Sequence, residues 1–138
     1  MSAEWTPDSL FYRQVHPTHR KDGVPSSQAF GPTPKDEDKL SVDDAAKVSA
    51  EESWRHFTEK LGFQSAGTWA VSLGEVAEAE DLVLEASPTV HPQEPAKNNP
   101  AHCHIDFSQV SSKGQKKKRA QQLAIKATAR GCLFQPSA

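Results

Sequence analysis

Residues 102–107 carry the pattern that best suits metal binding. Polar and apolar side chains alternate here, so a strand would present His102, His104 and Asp106 on one face. Side chains two positions apart on a strand are separated by ~6.6 Å along it. Two imidazoles at that spacing can share one divalent metal ion, with a carboxylate to bind or orient them. A polar strand face exposed to water is the simpler interpretation, so we expect no cofactor unless other ligands complete the site.

A second group of residues could bind a phosphate or a carboxylate. Arginine holds such groups through paired hydrogen bonds, and neighbouring hydroxyl groups can add more. The alternative is structural, because the same arginine and histidines can pin a long loop by hydrogen bonds to its carbonyl groups. The candidate ligand-binding residues are Tyr12, Arg13, His16, Ser26, Ser27, Gln28 and His102.

A basic surface stripe is predicted near the C-terminus. Arg119, Lys126 and Arg130 fall on one face of a helix and could contact nucleic-acid phosphates. The net charge of the chain is −2, however, and no aromatic side chain interrupts the stripe for base stacking. Residues 72–95 contain six acidic residues and no basic one. A solvent-exposed helix face, or docking of the stripe on that acidic segment, is therefore the simpler interpretation, and a nucleic-acid partner is the less favoured one.

The sequence assigns no catalytic residue. It contains no glycine-rich phosphate loop and no Gly-x-Ser-x-Gly segment. Cys103 and Cys132 form no Cys-x-x-Cys pair, which excludes a zinc ribbon, and we expect two reduced, mostly buried thiols. No apolar leader opens the chain and no run approaches the ~18 apolar residues of a membrane span. These observations predict a cytoplasmic protein without membrane contact.

The pattern of apolar and polar residues along the chain predicts an α+β fold in one domain, 1–138. We expect a small, mostly antiparallel sheet, two main helices at about 49–61 and 113–130, and long irregular loops. Residues 1–8 are expected to be disordered, and the proline-rich residues 87–101 to form an irregular loop. The polar residues 16–38 are expected to fold back over the sheet as a fixed lobe.

The first predicted helix has a clear beginning and end. Ser49 and Glu52 form a capping box, and Gly62 is placed to end the helix. Its predicted core face consists of Ala50, Trp54, Phe57 and Leu61. Strands are predicted at residues 10–15, 39–43, 69–73, 81–85 and 102–107.

Two resemblances bear on function. The segments FYRQVHP, SSQAF and LSV, and later NPAH, IDF and RGCLF, resemble a family of short uncharacterised bacterial proteins. That resemblance implies a bacterial source and one compact domain, and no activity. Arg13 on a first strand, followed by Ser26 and Ser27, is also similar to the opening of ADP-ribosyltransferase-like folds. There an arginine, a serine and an aromatic residue bind a dinucleotide and a glutamate does the chemistry; Glu75 and Glu85 are the nearest options here.

Together these features predict a small bacterial protein that binds a protein partner, as an accessory component or as an immunity or antitoxin component. One alternative is a nucleotide-binding enzyme with a degenerate ADP-ribosyltransferase-like site around Arg13. A second alternative is a metal-dependent site on His102, His104 and Asp106.

Overall fold

The computed structural model of the chain describes residues 5–32 and 38–136. Seven strands are present in that part: Leu10–Gln14 (β1), Arg20–Lys21 (β2), Val24–Pro25 (β3), Lys39–Asp44 (β4), Thr68–Ser72 (β5), Val83–Ala86 (β6) and His102–Asp106 (β7). Five of them form the main sheet in the order β5-β1-β4-β7-β6, with every neighbouring pair antiparallel, and β2 and β3 form a small hairpin. The predicted α+β class is confirmed.

Three α-helices accompany the sheet within the described residues: Ala50–Arg55 (α1), Leu73–Ala77 (α2) and Lys113–Arg130 (α3). Helix α1 continues as a wider π-helical segment, His56–Lys60, and short 3₁₀ turns lie at Pro17–His19, Ser27–Phe30 and Pro95–Lys97. The two main helices therefore lie where the sequence predicts them. The predicted irregular loop at 87–101 contains only the last of these turns and one bridge, Thr89 to Asn99.

The core lies on one face of the sheet and is closed by α3. Strand periodicity turns Leu40, Val42, Cys103, Ile105 and their neighbours toward that face, where each is almost fully buried. Ala120, Leu123, Ala124 and Ala127 form the narrow apolar stripe of α3 that packs against them. The 3₁₀ turn at Ser27–Phe30 fills the space between α3 and β1, and its Phe30 is completely buried.

The residues 16–32 are held in place by this packing and by hydrogen bonds. The Arg13 side chain donates to the carbonyl of Ala29 at 2.7 Å, and the Ser26 hydroxyl donates to the carbonyl of His19 at 2.9 Å. This part of the predicted lobe does fold back over the sheet. Its remaining residues up to Asp38 lie largely outside the described part of the chain.

Helix α1 lies over the opposite face of the sheet and contacts β1 and β5. The predicted capping box is present, since Ser49 accepts from the Glu52 amide and Glu52 accepts from the Ser49 amide. Gly62 follows with a φ of +77°, a backbone angle that favours glycine. The predicted core face is wrong: its four residues are only partly buried, and the buried residue of α1 is Ser53.

One local prediction needs correction, at the end of β5. Leu73 is the first residue of α2 instead of the end of a strand, because Ser72 and Glu75 form a second capping box that starts a helix there. In the segment 5–8, Trp5 packs on the sheet and the three residues after it are exposed. The Trp5 indole donates to Asp44 at 3.0 Å and meets the edge of the Phe11 ring at 5.0 Å. Residues 1–4 lie outside the described part.

Opposite charges hold α3 against α2 and the start of β6. Arg119 makes two hydrogen bonds to Asp81, and Arg130 makes two to Glu75. Lys126 lies 3.6 Å from Glu78 at the surface. All three residues of the basic stripe therefore face the acidic segment, which is the docking arrangement that the charge distribution suggested.

Candidate functional site

A cleft of about 620 Å³ lies on the sheet face that carries α1. Its floor is formed by polar side chains of β1, β4 and β7. One wall is the end of the first helix and the turn after it, and the other is the loop between β6 and β7. The residues that line it include Tyr12, Asp43, His56, Phe57, Phe63, Val90 and His102.

A chain of buried hydrogen bonds fixes the floor of the cleft. The Gln14 amide donates to the Ser53 hydroxyl at 2.9 Å, and that hydroxyl donates to Asp43 at 2.7 Å. The other oxygen of Asp43 accepts from the Asn99 side chain at 2.8 Å. Because these residues come from β1, α1, β4 and the loop before β7, the network ties the floor to both walls.

His102 lies at the edge of this floor with both ring nitrogens engaged. Its Nδ1 is 2.7 Å from the Ser87 carbonyl oxygen, which can only accept, so Nδ1 carries the proton. Its Nε2 is then the acceptor for the Ser41 hydroxyl, 3.1 Å away. The ring is therefore fixed in one orientation and one tautomer.

The walls of the cleft are apolar and reach the surface. The rings of Phe57 and Phe63 lie 5.1 Å apart, and Phe63 is 58% exposed. Across the cleft Val90 is 71% exposed. The two walls are joined at one end, where His56 Nε2 lies 3.1 Å from the carbonyl oxygen of Lys97. Exposed apolar side chains thus flank a cleft whose polar base is already hydrogen-bonded.

Tyr12 adds a hydrogen-bond donor to the floor. Partial burial, and secondarily the negative charge of Glu52, raise the pKa of its hydroxyl group. The phenol therefore stays protonated at neutral pH and can donate a hydrogen bond to a bound group.

The predicted phosphate-binding residues do not form one pocket. Tyr12, Arg13 and His102 line the cleft, but Arg13 donates to the carbonyls of Ala29 and Ser41. His16 and Ser26 are not among the residues lining the cleft; the ring of His16 accepts from the Thr18 amide. Ser27 and Gln28 line a separate depression beside Lys116 and Lys117. Loop pinning, the alternative interpretation, therefore accounts for the observed bonds of Arg13 and Ser26.

The glutamates considered for catalysis lie elsewhere. Partial burial would raise the pKa of the Glu75 carboxyl, but hydrogen bonds from Arg130 and Ser72 outweigh it and lower the pKa. Both oxygens of Glu75 bind Arg130, so this carboxylate is a structural ion-pair partner. Glu85 lies on β6, opposite His104.

The predicted metal ligands are divided in the structure. The described residues whose ligand atoms lie within 4.8 Å of one another are Glu85, His104 and Asp106. His102 is not in that group, because its two nitrogens face Ser87 and Ser41. The sequence identified two of the three residues, and the third depends on the pairing of β6 with β7.

The two cysteines differ in environment. Burial, with smaller contributions from Asp44 and Asp43, raises the pKa of the Cys103 thiol to about 12, so it is not a nucleophile at neutral pH. Cys132 is exposed, which corrects the expectation that both thiols are mostly buried. The expectation treated a Gly-Cys-Leu-Phe segment as core, whereas this segment crosses the surface at the edge of β5.

Comparison of the chain with protein-family models, with curated proteins and with solved structures found no match. The resemblance to short bacterial proteins thus stays a prediction. Within residues 5–32 and 38–136, none of the helices has the length and apolar character needed to cross a membrane.

Proposed function

We propose that this protein acts by binding another protein, and that the partner inserts an apolar side chain into the cleft. The observation that carries the proposal is the exposure of Phe63 and Val90 on opposite walls. Large exposed apolar side chains around a concave site are typical of interaction surfaces. The volume of about 620 Å³ is enough for one large side chain and its flanking backbone.

The polar floor supports binding more than catalysis. Asp43 already accepts hydrogen bonds on both oxygens, and both nitrogens of His102 are occupied. Groups whose hydrogen bonds are satisfied in this way keep a fixed shape, which suits a rigid binding surface. Tyr12 supplies a donor for a backbone carbonyl of the partner, which would set the orientation of the inserted residue.

Affinity capture with matched variants tests the proposal. The wild-type protein is immobilised and exposed to lysate of the native host, alongside a double variant Phe63→Asp, Val90→Asp. Ile125→Asp is the control, since Ile125 is 67% exposed on α3, away from the cleft. A captured protein is then purified and its dissociation constant is measured by calorimetry.

We expect the double variant to bind at least about 30-fold more weakly, the effect of losing a hot-spot contact of about 2 kcal/mol. The Ile125→Asp control is expected to bind like wild type. Equal binding by all three proteins, or an equal loss in the control, would contradict the proposal. A titration with NAD⁺ covers the nucleotide alternative, and heat from the wild type that Arg13→Gln abolishes would favour that function instead.

A further inference from the structure

We infer that Glu85, His104 and Asp106 form a binding site for a divalent transition-metal ion, with Zn²⁺ as the best fit. The pairing of β6 with β7 places Glu85 directly opposite His104, and Val83 opposite Asp106. His104 and Asp106 are two positions apart and so point to the same face. One ligand atom from each of the three side chains lies within 4.8 Å of the other two.

His104 supplies the strongest indication of a metal site. Its Nε2 is buried and makes no hydrogen bond to any residue that the structure describes. An oxygen of Glu85 is 3.4 Å from this nitrogen, inside ion-pair range, yet the contact does not form a hydrogen bond. A buried polar atom without a partner costs about 1–3 kcal/mol. A metal ion between the imidazole and the two carboxylates would give that nitrogen a partner.

Ser87 provides the supporting contact that metal-binding histidines need. Its hydroxyl oxygen lies 2.9 Å from His104 Nδ1, the ring nitrogen on the far side from the carboxylates. A histidine bound to metal through Nε2 carries its proton on Nδ1 and usually donates it to an oxygen. The Ser87 hydroxyl is in place to accept that proton and to fix the ring.

The chemistry of the three ligands selects the ion. An imidazole nitrogen with two carboxylates suits Zn²⁺ and similar transition metals, while Ca²⁺ and Mg²⁺ prefer oxygen ligands alone. The Glu85 side chain is 50% exposed and can rotate. Rotation would bring its carboxylate oxygen to about 2 Å from a bound Zn²⁺ ion. Three protein ligands at a partly exposed position leave room for water as a fourth.

Asp106 is held in place by its neighbours. One of its carboxylate oxygens accepts a hydrogen bond from the Ser108 amide at 2.8 Å, which orients the side chain. Lys39 of β4 lies opposite Asp106 in the sheet, so a metal ion would share this carboxylate with a neighbouring cation.

Calorimetric titration with Zn²⁺ tests the inference in the full chain carrying Cys132→Ser, which removes the exposed thiol as a competing ligand. We expect one ion per chain. Glu85→Gln and Asp106→Asn are each expected to weaken binding at least about tenfold, and Ser87→Ala about 10- to 100-fold. The control is His16→Ala with His19→Ala, because these two rings lie only 5.6 Å apart and could hold an ion at the surface.

Unchanged binding in the control, with loss in the carboxylate variants, supports the site. Loss in the control alone, or no binding by the parent protein, would overturn it. Nitrogen NMR gives a second readout, since Zn²⁺ should shift the His104 Nε2 resonance and leave Nδ1 protonated. None of these variants changes Phe63 or Val90, so this result and the partner-binding result can fail separately.

Discussion

At the scale of single residues, Ser53 connects the parts of the cleft floor. Its hydroxyl accepts from Gln14 and donates to Asp43, and its side chain is 1% exposed. Nothing in the sequence marks this serine, because it stands beside Trp54 on a helix whose apolar residues suggest a different inward face. Its role depends on residues from β1 and β4, which only the folded sheet brings to it.

Replacing Ser53 with alanine should lower the free energy of unfolding by about 1–3 kcal/mol. The substitution leaves a buried amide of Gln14 and one oxygen of Asp43 without their partner, and unsatisfied buried groups cost that much. Urea unfolding followed by tryptophan fluorescence measures the change.

The matching control is Ser111→Ala, an exposed serine before α3, which should shift stability by less than about 0.5 kcal/mol. If the Ser53→Ala protein is as stable as the control, water replaces the hydroxyl. The hydrogen-bond network through Ser53 then does not support the cleft.

At the scale of elements, the two capping boxes differ in how well the sequence reveals them. The Ser49–Glu52 box precedes a long helical pattern and is predicted at once, while the Ser72–Glu75 box interrupts an alternating strand pattern. The second was missed because Leu73 continues the alternation of Trp69 and Val71. Local capping determines the boundary there.

The ion pair between Arg130 and Glu75 joins the last turn of α3 to α2. The Arg130 and Glu75 side chains are 26% and 17% exposed, so the pair is partly screened by water, and it is bidentate. Such pairs contribute more than isolated surface pairs. Since the pKa of Glu75 is lowered in the folded protein, this contribution is present above its ordinary value of 4.5 and is lost as the pH falls below it.

Arg130→Met should therefore destabilise the protein by about 1–3 kcal/mol at pH 7 and by less at pH 3, where part of the ion-pair contribution is lost because the pH is below the ordinary pKa of Glu75. Urea unfolding at both pH values provides the comparison. Lys117→Met, at an exposed position of the same helix, should have little effect at either pH. A cost for Arg130→Met that stays constant from pH 7 to pH 3 would mean that packing, and not charge, holds the helix end.

The walls of the cleft could not be predicted from the sequence. Residues 56–63 and 89–97 are more than twenty-five positions apart and share no periodic pattern. Two contacts of the folded chain bring these walls together. His56 contacts the Lys97 carbonyl, and Asn99 donates a hydrogen bond to Asp43. The floor was partly predicted, because Tyr12 and His102 were already candidate ligand-binding residues.

At the scale of the whole molecule, segments near both ends of the chain are attached to the main sheet. Trp5 bonds to Asp44 on β4, and the last described residues pair with the edge of β5. Thr68 donates to the Phe134 carbonyl, and Leu133 donates to the Thr68 carbonyl, each at 2.8 Å. The Phe134 ring also lies 5.5 Å from the Trp54 ring. The tail thus protects an edge strand that would otherwise be open to pairing.

Ending the chain after Gly131 should lower the free energy of unfolding by about 2–4 kcal/mol, since two backbone hydrogen bonds and one aromatic contact are lost. A chain that ends after Pro136 keeps these contacts and should match the full-length protein. Urea unfolding compares the three, and size-exclusion chromatography shows whether the uncovered strand causes association. Equal stability of both shortened chains would rule out a structural role for the tail.

The closure of the core by α3 also affects how the chain is made. Phe11, Leu40, Ile105 and the other apolar side chains on that face have no cover until residues 113–130 have been added. Before then, a nascent chain would expose much of this apolar sheet face to aggregation. The native core should therefore form only once residues 113–130 have emerged from the ribosome, and slow translation through α3 should favour aggregation over native protein.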